Sequence, residues 1–228
     1  MAKVKFSALV SEMRNKLNGS VFSKNRAGNY LRNKVTPVNP QTSAQTAQRS
    51  YLTAASQAWR SLTQTARNAW NSAVMNFQGT DIFGDIKAPS GINLYNKLYI
   101  NASVAGVSPL ALPPAPGTSP SAPDATFAPD SSPQTFTLTS ALTAVPTGQA
   151  WVVRATGNMS PGRSFFKNDY RIVAVLPAAT SLPAALITDY SAKFGSLVQN
   201  EKVAYEVYAI DTTTMLHGPA TRGSAIVL

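Results

Sequence analysis

Prolines constrain the middle of this 228-residue chain more than any other residue type does. Eight of the sixteen prolines fall between Ser108 and Pro133. Proline fixes φ and has no backbone N–H, so a run this dense breaks helices and sheet ladders and favours extended chain. We therefore predict a linker over residues 108–133, with a basic anchoring domain over 1–107 before it and a second domain over 134–228 after it.

The N-terminal part begins with a predicted β-hairpin. Two extended arms, residues 21–24 and 29–35, flank Asn25-Arg26-Ala27-Gly28. The Asn and Gly of this loop supply the backbone conformations that a hairpin turn needs.

Three helices are predicted after the hairpin. Thr42 or Ser43 is a candidate N-cap for the first helix, and Thr63 is a candidate N-cap for a second helix over residues 64–77. Because the two are joined so tightly, we expect them to pack together, with Trp59 and Trp70 in their core. A third helix is predicted after residue 91.

After residue 133 the apolar period changes to two. Five short segments rich in β-branched and aromatic residues are predicted as strands, residues 135–140, 150–156, 170–176, 203–210 and 225–228. Residues 186–194 suit either a helix or another strand. The predicted fold class is α+β and multidomain: a β-hairpin plus a small helical unit, then an antiparallel β-sandwich of immunoglobulin or fibronectin type.

The excess of positive charge is confined to the N-terminal part. Residues 1–100 contain 13 Lys or Arg and three acids, whereas residues 101–228 contain seven of each. A net charge of +10 on one part of the chain suits a polyanion or an acidic protein surface. Only 13% of all residues are charged, against about 25% in a typical domain. This composition is compatible with a monomer covered in neutral polar residues, and it also suits a subunit whose surface is largely covered by neighbours; we expect a homo-oligomer.

Basic and aromatic residues alternate on the predicted hairpin. They are the candidate binding residues, Phe22, Lys24, Arg26, Tyr30, Arg32 and Lys34. The bases could contact phosphates or acidic side chains, and the aromatic rings could stack on nucleotide bases. In the opposing interpretation, the two aromatic residues cover the helices and the charges are only solvated. Nucleic acid and acidic protein both remain open as partners.

Catalytic and metal-binding patterns are missing from the sequence. The chain has no cysteine and one histidine, His217, and it lacks paired carboxylates, a phosphate-binding glycine loop and a nucleophile motif. Glu206 is predicted on the solvent side of a strand. We expect no enzymatic activity, no catalytic residue, no metal site and no cofactor. The apolar segments are too short or too interrupted for a signal peptide or a membrane span, so no membrane partner is expected.

Three stretches near the N-terminus form a recognisable pattern. They are residues 19–32 (GSVFSKNRAGNYLR), residues 35–42 (VTPVNPQT) with Gln45, Gln48 and Arg49, and residues 58–63 (AWRSLT). With this pattern, about residues 1–100 resemble an uncharacterised family of structural proteins in tailed bacteriophages of Bacteroidetes-type hosts, including crAss-like phages and related prophages. The resemblance implies a place in the virion, assembled in the bacterial host cytoplasm, and it transfers no catalytic residue.

The resemblance and the charge distribution together predict a non-enzymatic structural protein of a phage particle. It would be a capsid auxiliary protein or a head-tail ring component, anchored through its basic N-terminal module. The expected partners are capsid, portal or connector proteins, and packaged DNA. Two alternatives are a DNA-binding accessory protein that uses the hairpin, and a surface adhesion module whose sandwich binds glycans.

Overall fold

The structure is a computed structural model that describes residues 2–7, 9–25, 28–80 and 86–228. The chain divides into two compact units, Met1–Thr46 and Ala47–Leu228, called unit 1 and unit 2 below. This division lies far from the predicted linker at residues 108–133. The coarse prediction of an α+β chain with antiparallel sheets is confirmed.

Unit 1 is built on one small antiparallel sheet. Its strands are β1 (Ala2–Lys3), β2 (Asn15–Leu17), β3 (Ser20–Asn25) and β4 (Gly28–Asn33), in the order β1-β4-β3-β2. The predicted hairpin is confirmed, because β3 and β4 pair along their whole length. Residues 26 and 27 of its loop lie outside the described residues.

Unit 1 has almost no interior. Among its described side chains, none is buried. Four large apolar side chains are strongly exposed, Leu9, Leu17, Val35 and Val38, the last of them to 88%. The sheet is therefore held together by backbone hydrogen bonds and partial side-chain contacts, without the buried core that usually makes a small sheet stable.

Unit 2 contains the helices. They are α1 (Ser43–Ser61, whose first turn lies before the unit boundary), α2 (Gln64–Ala73) with a following 3-10 helix (Val74–Phe77), and α3 (Gly91–Ala105). The predicted N-cap at Thr63 is confirmed, since its side chain accepts a hydrogen bond from the Ala66 N–H. Ser90 caps α3 in the same way through Asn93. A two-stranded ribbon, β5 (Gly79–Thr80) and β6 (Ile86–Lys87), precedes α3.

The helices share a core centred on Trp70. Trp70 is fully buried and meets the Tyr95 ring edge-on, with the ring centroids 5.2 Å apart. Trp59 packs against the same cluster and is partly buried, so the predicted core role of both tryptophans is confirmed. The main helical partner of α2 is α3, however, and not α1 as the short connection suggested. The core explains this preference, because α3 supplies the buried Leu94, Leu98 and Ala102 to the cluster, whereas Ala58 and Trp59 of α1 are only partly buried there.

The remainder of unit 2 forms two antiparallel sheets. One sheet has the order β11-β8-β7 and the other the order β10-β9-β12-β13. The strands are β7 (Thr126–Ser131), β8 (Gln134–Thr139), β9 (Gln149–Ala155), β10 (Arg171–Leu176), β11 (Ala184–Ala185), β12 (Lys202–Asp211) and β13 (His217–Ile226). Helix α4 (Ile187–Phe194) resolves the ambiguity at residues 186–194 in favour of a helix. We call these two sheets the sheet pair.

One large apolar core joins the two sheets. Phe136 and Leu138 of one sheet and Trp151, Val153 and Val207 of the other belong to the same buried cluster. The alternation of inward apolar residues along β8 and β9 is the pattern that predicted these strands. The shared core makes the sheet pair a two-layer structure.

The predicted linker is part of the fold of unit 2. Its residues 126–131 form β7, which pairs with β8. Pro120 and Pro123 are buried, and the hydroxyl of Thr221 on β13 donates to the Pro123 carbonyl. A Cβ at Gly218 would lie 2.1 Å from the Pro120 carbonyl oxygen, so the two backbones are in close contact. Proline density gives extended chain here as predicted, but the extended chain packs against the sheet.

The helices and the sheet pair are also in direct contact, in keeping with their place in one compact unit. The turn between β12 and β13 places Met215 in the Trp70 cluster, where it is 1% exposed. Asn101 on α3 donates a hydrogen bond of 2.8 Å to the Met215 carbonyl. Ala105 at the end of α3 packs with Val152 and Ile210 on the outer face of the sheet.

Candidate functional site

The register of the hairpin separates the predicted binding residues onto two faces. Residues directly opposite each other in an antiparallel pair share a face. Phe22 is opposite Leu31, whereas Tyr30 is opposite Ser23, one position along. Tyr30 and Arg32 therefore lie on one face, and Phe22 and Lys24 lie on the other, in agreement with the period of two.

Lys34 and Arg26 lie at the two ends of this arrangement. Lys34 follows the last residue of β4, and its N–H donates to the Gly19 carbonyl at 2.8 Å. This bond prolongs the ladder, so Lys34 continues the alternation of Tyr30 and Arg32. Arg26, the remaining predicted site residue, lies outside the described residues.

The face that carries Tyr30 and Arg32 gains a further base from β2. Lys16 is opposite Val21, and Val21 is opposite Arg32, so all three side chains lie on this face. Lys16, Arg32 and Lys34 are exposed, and Tyr30 is half-buried. We call Lys16, Tyr30, Arg32 and Lys34 the basic face.

Sequence reasoning missed Lys16 because it missed β2. Leu17 pairs with Ser20, so the turn between β2 and β3 consists only of Asn18 and Gly19. Asn18 has φ 49°, the left-handed conformation that a tight hairpin requires. Asn-Gly between two extended segments is the strongest short hairpin signal. That dipeptide predicts β2 when it is considered together with the strand that follows it.

The opposite side of the sheet is more apolar. Leu17, Phe22 and Leu31 lie there by register, and the Phe6 ring is inclined at 40° to the Phe22 ring, with centroids 6.4 Å apart. Phe6, Phe22 and Leu31 are half-buried, while Leu17 is 63% exposed. We call these four residues the apolar face. Lys24 lies at its margin, opposite Asn29.

The single acid of unit 1 does not neutralise the basic face. Unit 1 contains eight Lys or Arg residues and one acid, Glu12. A hydrogen bond from the Arg14 side chain holds the pKa of Glu12 below its usual value, and the charges of Arg14 and Lys24 act in the same direction. Glu12 forms an ion pair with Arg14. Among the described residues, Lys16, Arg32 and Lys34 form no ion pair.

Unit 2 holds a second charged cluster, and it corrects the prediction for Glu206. Glu206 is 4% exposed, so it does not lie on the solvent side of its strand. One of its carboxylate oxygens accepts from Arg154 on β9 at 2.6 Å, and the other accepts from Arg222 on β13 at 2.8 Å. Both arginines are directly opposite Glu206 in the sheet. This cross-strand cluster satisfies the buried carboxylate, which is a structural role.

Two tyrosines next to this cluster are kept neutral. Burial raises the pKa of Tyr170 above its usual value, and the negative charge of Glu206 adds to the effect. Burial likewise raises the pKa of Tyr208. The Arg154 guanidinium lies 5.6 Å from the centroid of the Tyr170 ring, within the range of a cation–π contact. These contacts fix the arginines on the outer face of the sheet.

The remaining features considered in the sequence are a metal site, the single histidine and a membrane span. Among the described residues, no group of three or more His, Cys, Asp or Glu side chains is placed to hold a metal ion. His217 is exposed at the start of β13, with its ring centroid 6.0 Å from that of Tyr208. Within the described ranges, no helix has the length and hydropathy needed to cross a membrane.

The basic face and the apolar face of unit 1 are thus the candidate binding surfaces. Both are made by strands that are well paired, and no described side chain on either face is fully buried. No family model, no curated protein and no solved structure matches the chain.

Proposed function

We propose that this chain is a non-enzymatic structural subunit of a tailed-phage particle, a capsid auxiliary protein or a head-tail ring component, and that unit 1 anchors it. The observation that carries the proposal is the lack of buried side chains among the described residues of unit 1. A four-stranded sheet needs a covered apolar face to be stable in water. A neighbouring subunit would supply that cover.

Charge supports the same role. Unit 1 has a net charge of +7, from eight bases and one acid, whereas residues 101–228 are neutral overall. A strongly basic segment promotes attachment to an acidic surface or to DNA. The resemblance of about residues 1–100 to phage structural proteins points to a particle as the place where both partners are found.

We propose in addition that the sheet pair is a fibronectin-like sandwich. With its seven strands lettered A to G from β7 to β13, one sheet has the order E-B-A and the other the order D-C-F-G. In the constant-type immunoglobulin sandwich the fourth strand lies beside the fifth, whereas here β10 pairs with β9. A sandwich of this kind would present its loops to neighbouring subunits, in keeping with the expected homo-oligomer.

A DNA-binding accessory protein is the second candidate. The unpaired bases of the basic face, with Tyr30 between them, favour it. The adhesion alternative gains no support from a described feature of unit 2.

The test of the proposal is quantitative mass spectrometry of purified, intact particles from the phage or induced prophage that encodes this chain. We expect the chain at a fixed, symmetric copy number relative to the major capsid protein or the portal. Loss of the chain during purification, with infectious particles intact, contradicts the structural role.

A pair of matched variants then tests the anchor. Leu17 of the apolar face is 63% exposed, and Leu112 of unit 2 is 59% exposed, so replacing either by Ser removes a similar exposed side chain. We expect Leu17→Ser to lower incorporation into particles several-fold, because it weakens the covered face, and Leu112→Ser to leave it unchanged. Equal incorporation of the two variants argues against anchoring through unit 1.

A further inference from the structure

We infer that the basic face of unit 1 binds the phosphate backbone of a nucleic acid, while the apolar face on the other side of the same sheet contacts protein. This inference rests on the proposed anchoring role of unit 1 and names the partner of each face. The hairpin register is the observation behind it, because it places Tyr30 and Arg32 away from Phe22.

The basic face has the charge pattern that phosphate binding requires. Lys16, Arg32 and Lys34 are exposed and form no ion pair with a described residue. The nearest candidate for neutralising them, Glu12, is engaged by Arg14 and lies within the field of Lys24, at the margin of the apolar face. A polyanion that approaches the basic face therefore meets uncompensated positive charge.

The spacing of these bases suits a backbone with many phosphates. Lys16 and Arg32 lie on strands separated by β3, so their backbones are about 10 Å apart, which is two strand spacings. Arg32 and Lys34 are two residues apart along the chain, or about 7 Å. Flexible Lys and Arg side chains at these separations can contact several phosphates at once, and the Tyr30 hydroxyl is a further phosphate donor.

The contrast between the faces favours nucleic acid over an acidic protein for the basic face. Protein interfaces have an apolar, aromatic centre with charges at the rim. The apolar face has this composition, with Phe6, Phe22, Leu17 and Leu31 in the middle and Lys24 at the margin. On the basic face, by contrast, three exposed charges lie beside two half-buried side chains, Val21 and Tyr30, of which only Tyr30 is aromatic.

The experiment measures binding of the full-length chain to a short double-stranded DNA of mixed sequence, by fluorescence anisotropy at several salt concentrations. The test variant replaces Lys16, Arg32 and Lys34 by Gln. Each phosphate contact contributes about −0.9 to the slope of log affinity against log salt, so we expect the magnitude of the slope to fall by about 2.7.

A control variant matches the change in net charge. Arg60, Lys97 and Lys167 are exposed bases of unit 2, and they form no ion pair with a described residue. Replacing these three by Gln should leave the slope within experimental error of the natural chain. Circular dichroism should show both variants folded, because exposed charge changes usually alter stability little. If both variants lose the same slope, binding follows net charge and the basic face has no special role, which overturns the inference.

Polyglutamate of similar length is the competing probe. If polyglutamate binds as tightly as DNA, and the test variant loses both ligands equally, the partner is an acidic protein surface and the nucleic-acid inference is wrong. The outcome is separable from that of the proposed function. If the chain is present in particles and the test variant binds DNA as the natural chain does, the structural role stands and this inference is wrong. If the chain is missing from particles but binds DNA through this face, this inference stands and the structural role is wrong.

Discussion

Met215 is the residue whose replacement best tests how unit 2 is built. It lies in the turn between β12 and β13, yet its side chain is 1% exposed within the helical core around Trp70 and Tyr95. Met215→Ala keeps the backbone carbonyl that accepts a hydrogen bond from the Asn101 side chain. The substitution therefore removes apolar contact between the sheet pair and the helices and little else.

The expected magnitude follows from burial. Replacing a fully buried Met by Ala costs about 2–5 kcal/mol, because the lost transfer free energy is joined by the energy of the cavity that remains. For a unit of this size, 1 kcal/mol corresponds to about 2–4 °C in Tm, so we expect Tm to fall by about 4–20 °C. Met75→Ala is the matched control, since Met75 is 64% exposed, and its effect should stay within about 0.5 kcal/mol.

The assay is thermal unfolding by circular dichroism, followed by hydrogen exchange measured on peptides from α3 and β9. If the helices and the sheet pair unfold together, Met215→Ala lowers the protection of both peptides to a similar degree. Loss of protection in α3 alone, with β9 unchanged, would show that the two parts unfold independently. That result would refute our interpretation of unit 2 as one cooperative structure and would favour the domain boundary predicted at residues 108–133.

Two further substitutions test the polar interior of unit 2. In a denaturant titration, Glu206→Gln should lower the free energy of unfolding by about 1–3 kcal/mol, because it removes the charge that two partly exposed arginines share. The control Glu201→Gln breaks no ion pair among described residues and should lower it by less than about 0.5 kcal/mol. Burial raises the pKa of Tyr190, which donates to the Thr156 carbonyl. Folding favours the neutral form of this tyrosine, so its stabilising effect is complete below about pH 10 and is lost as pH rises further. We therefore expect the free energy of unfolding of Tyr190→Phe to fall less steeply between about pH 10 and 12 than that of the natural chain. An unchanged slope would contradict this.

The local patterns of the sequence were sufficient to predict most individual elements. The period of two predicted β8, β9, β10 and β12 to within one or two residues, and the hairpin of β3 and β4 was predicted from its turn residues. Thr63 was identified as an N-cap from its position alone. These predictions succeed because strands, turns and caps depend on the sterics and hydrogen bonds of residues close together in the chain.

The candidate site was only partly predictable. The six predicted residues include Tyr30, Arg32 and Lys34 of the basic face, because alternation along one strand is a local property. Lys16 joined them only when β2 paired with β3, and Phe22 was separated from Tyr30 by the register of that hairpin. Register is set by the pairing of two strands, and a shift by one residue reverses the face of every side chain.

Tertiary structure alone decided the environment of Glu206 and the role of the proline-rich segment. The sequence determined that Glu206 lies on a strand, and that residues 108–133 are extended. Arg154, 52 positions earlier, and Arg222 make the carboxylate buried and paired instead of solvated. Pro120 is folded against Gly218 in the same way, across almost a hundred residues. Such contacts join residues that are distant in the chain, so no local pattern of charge or proline content can reveal them.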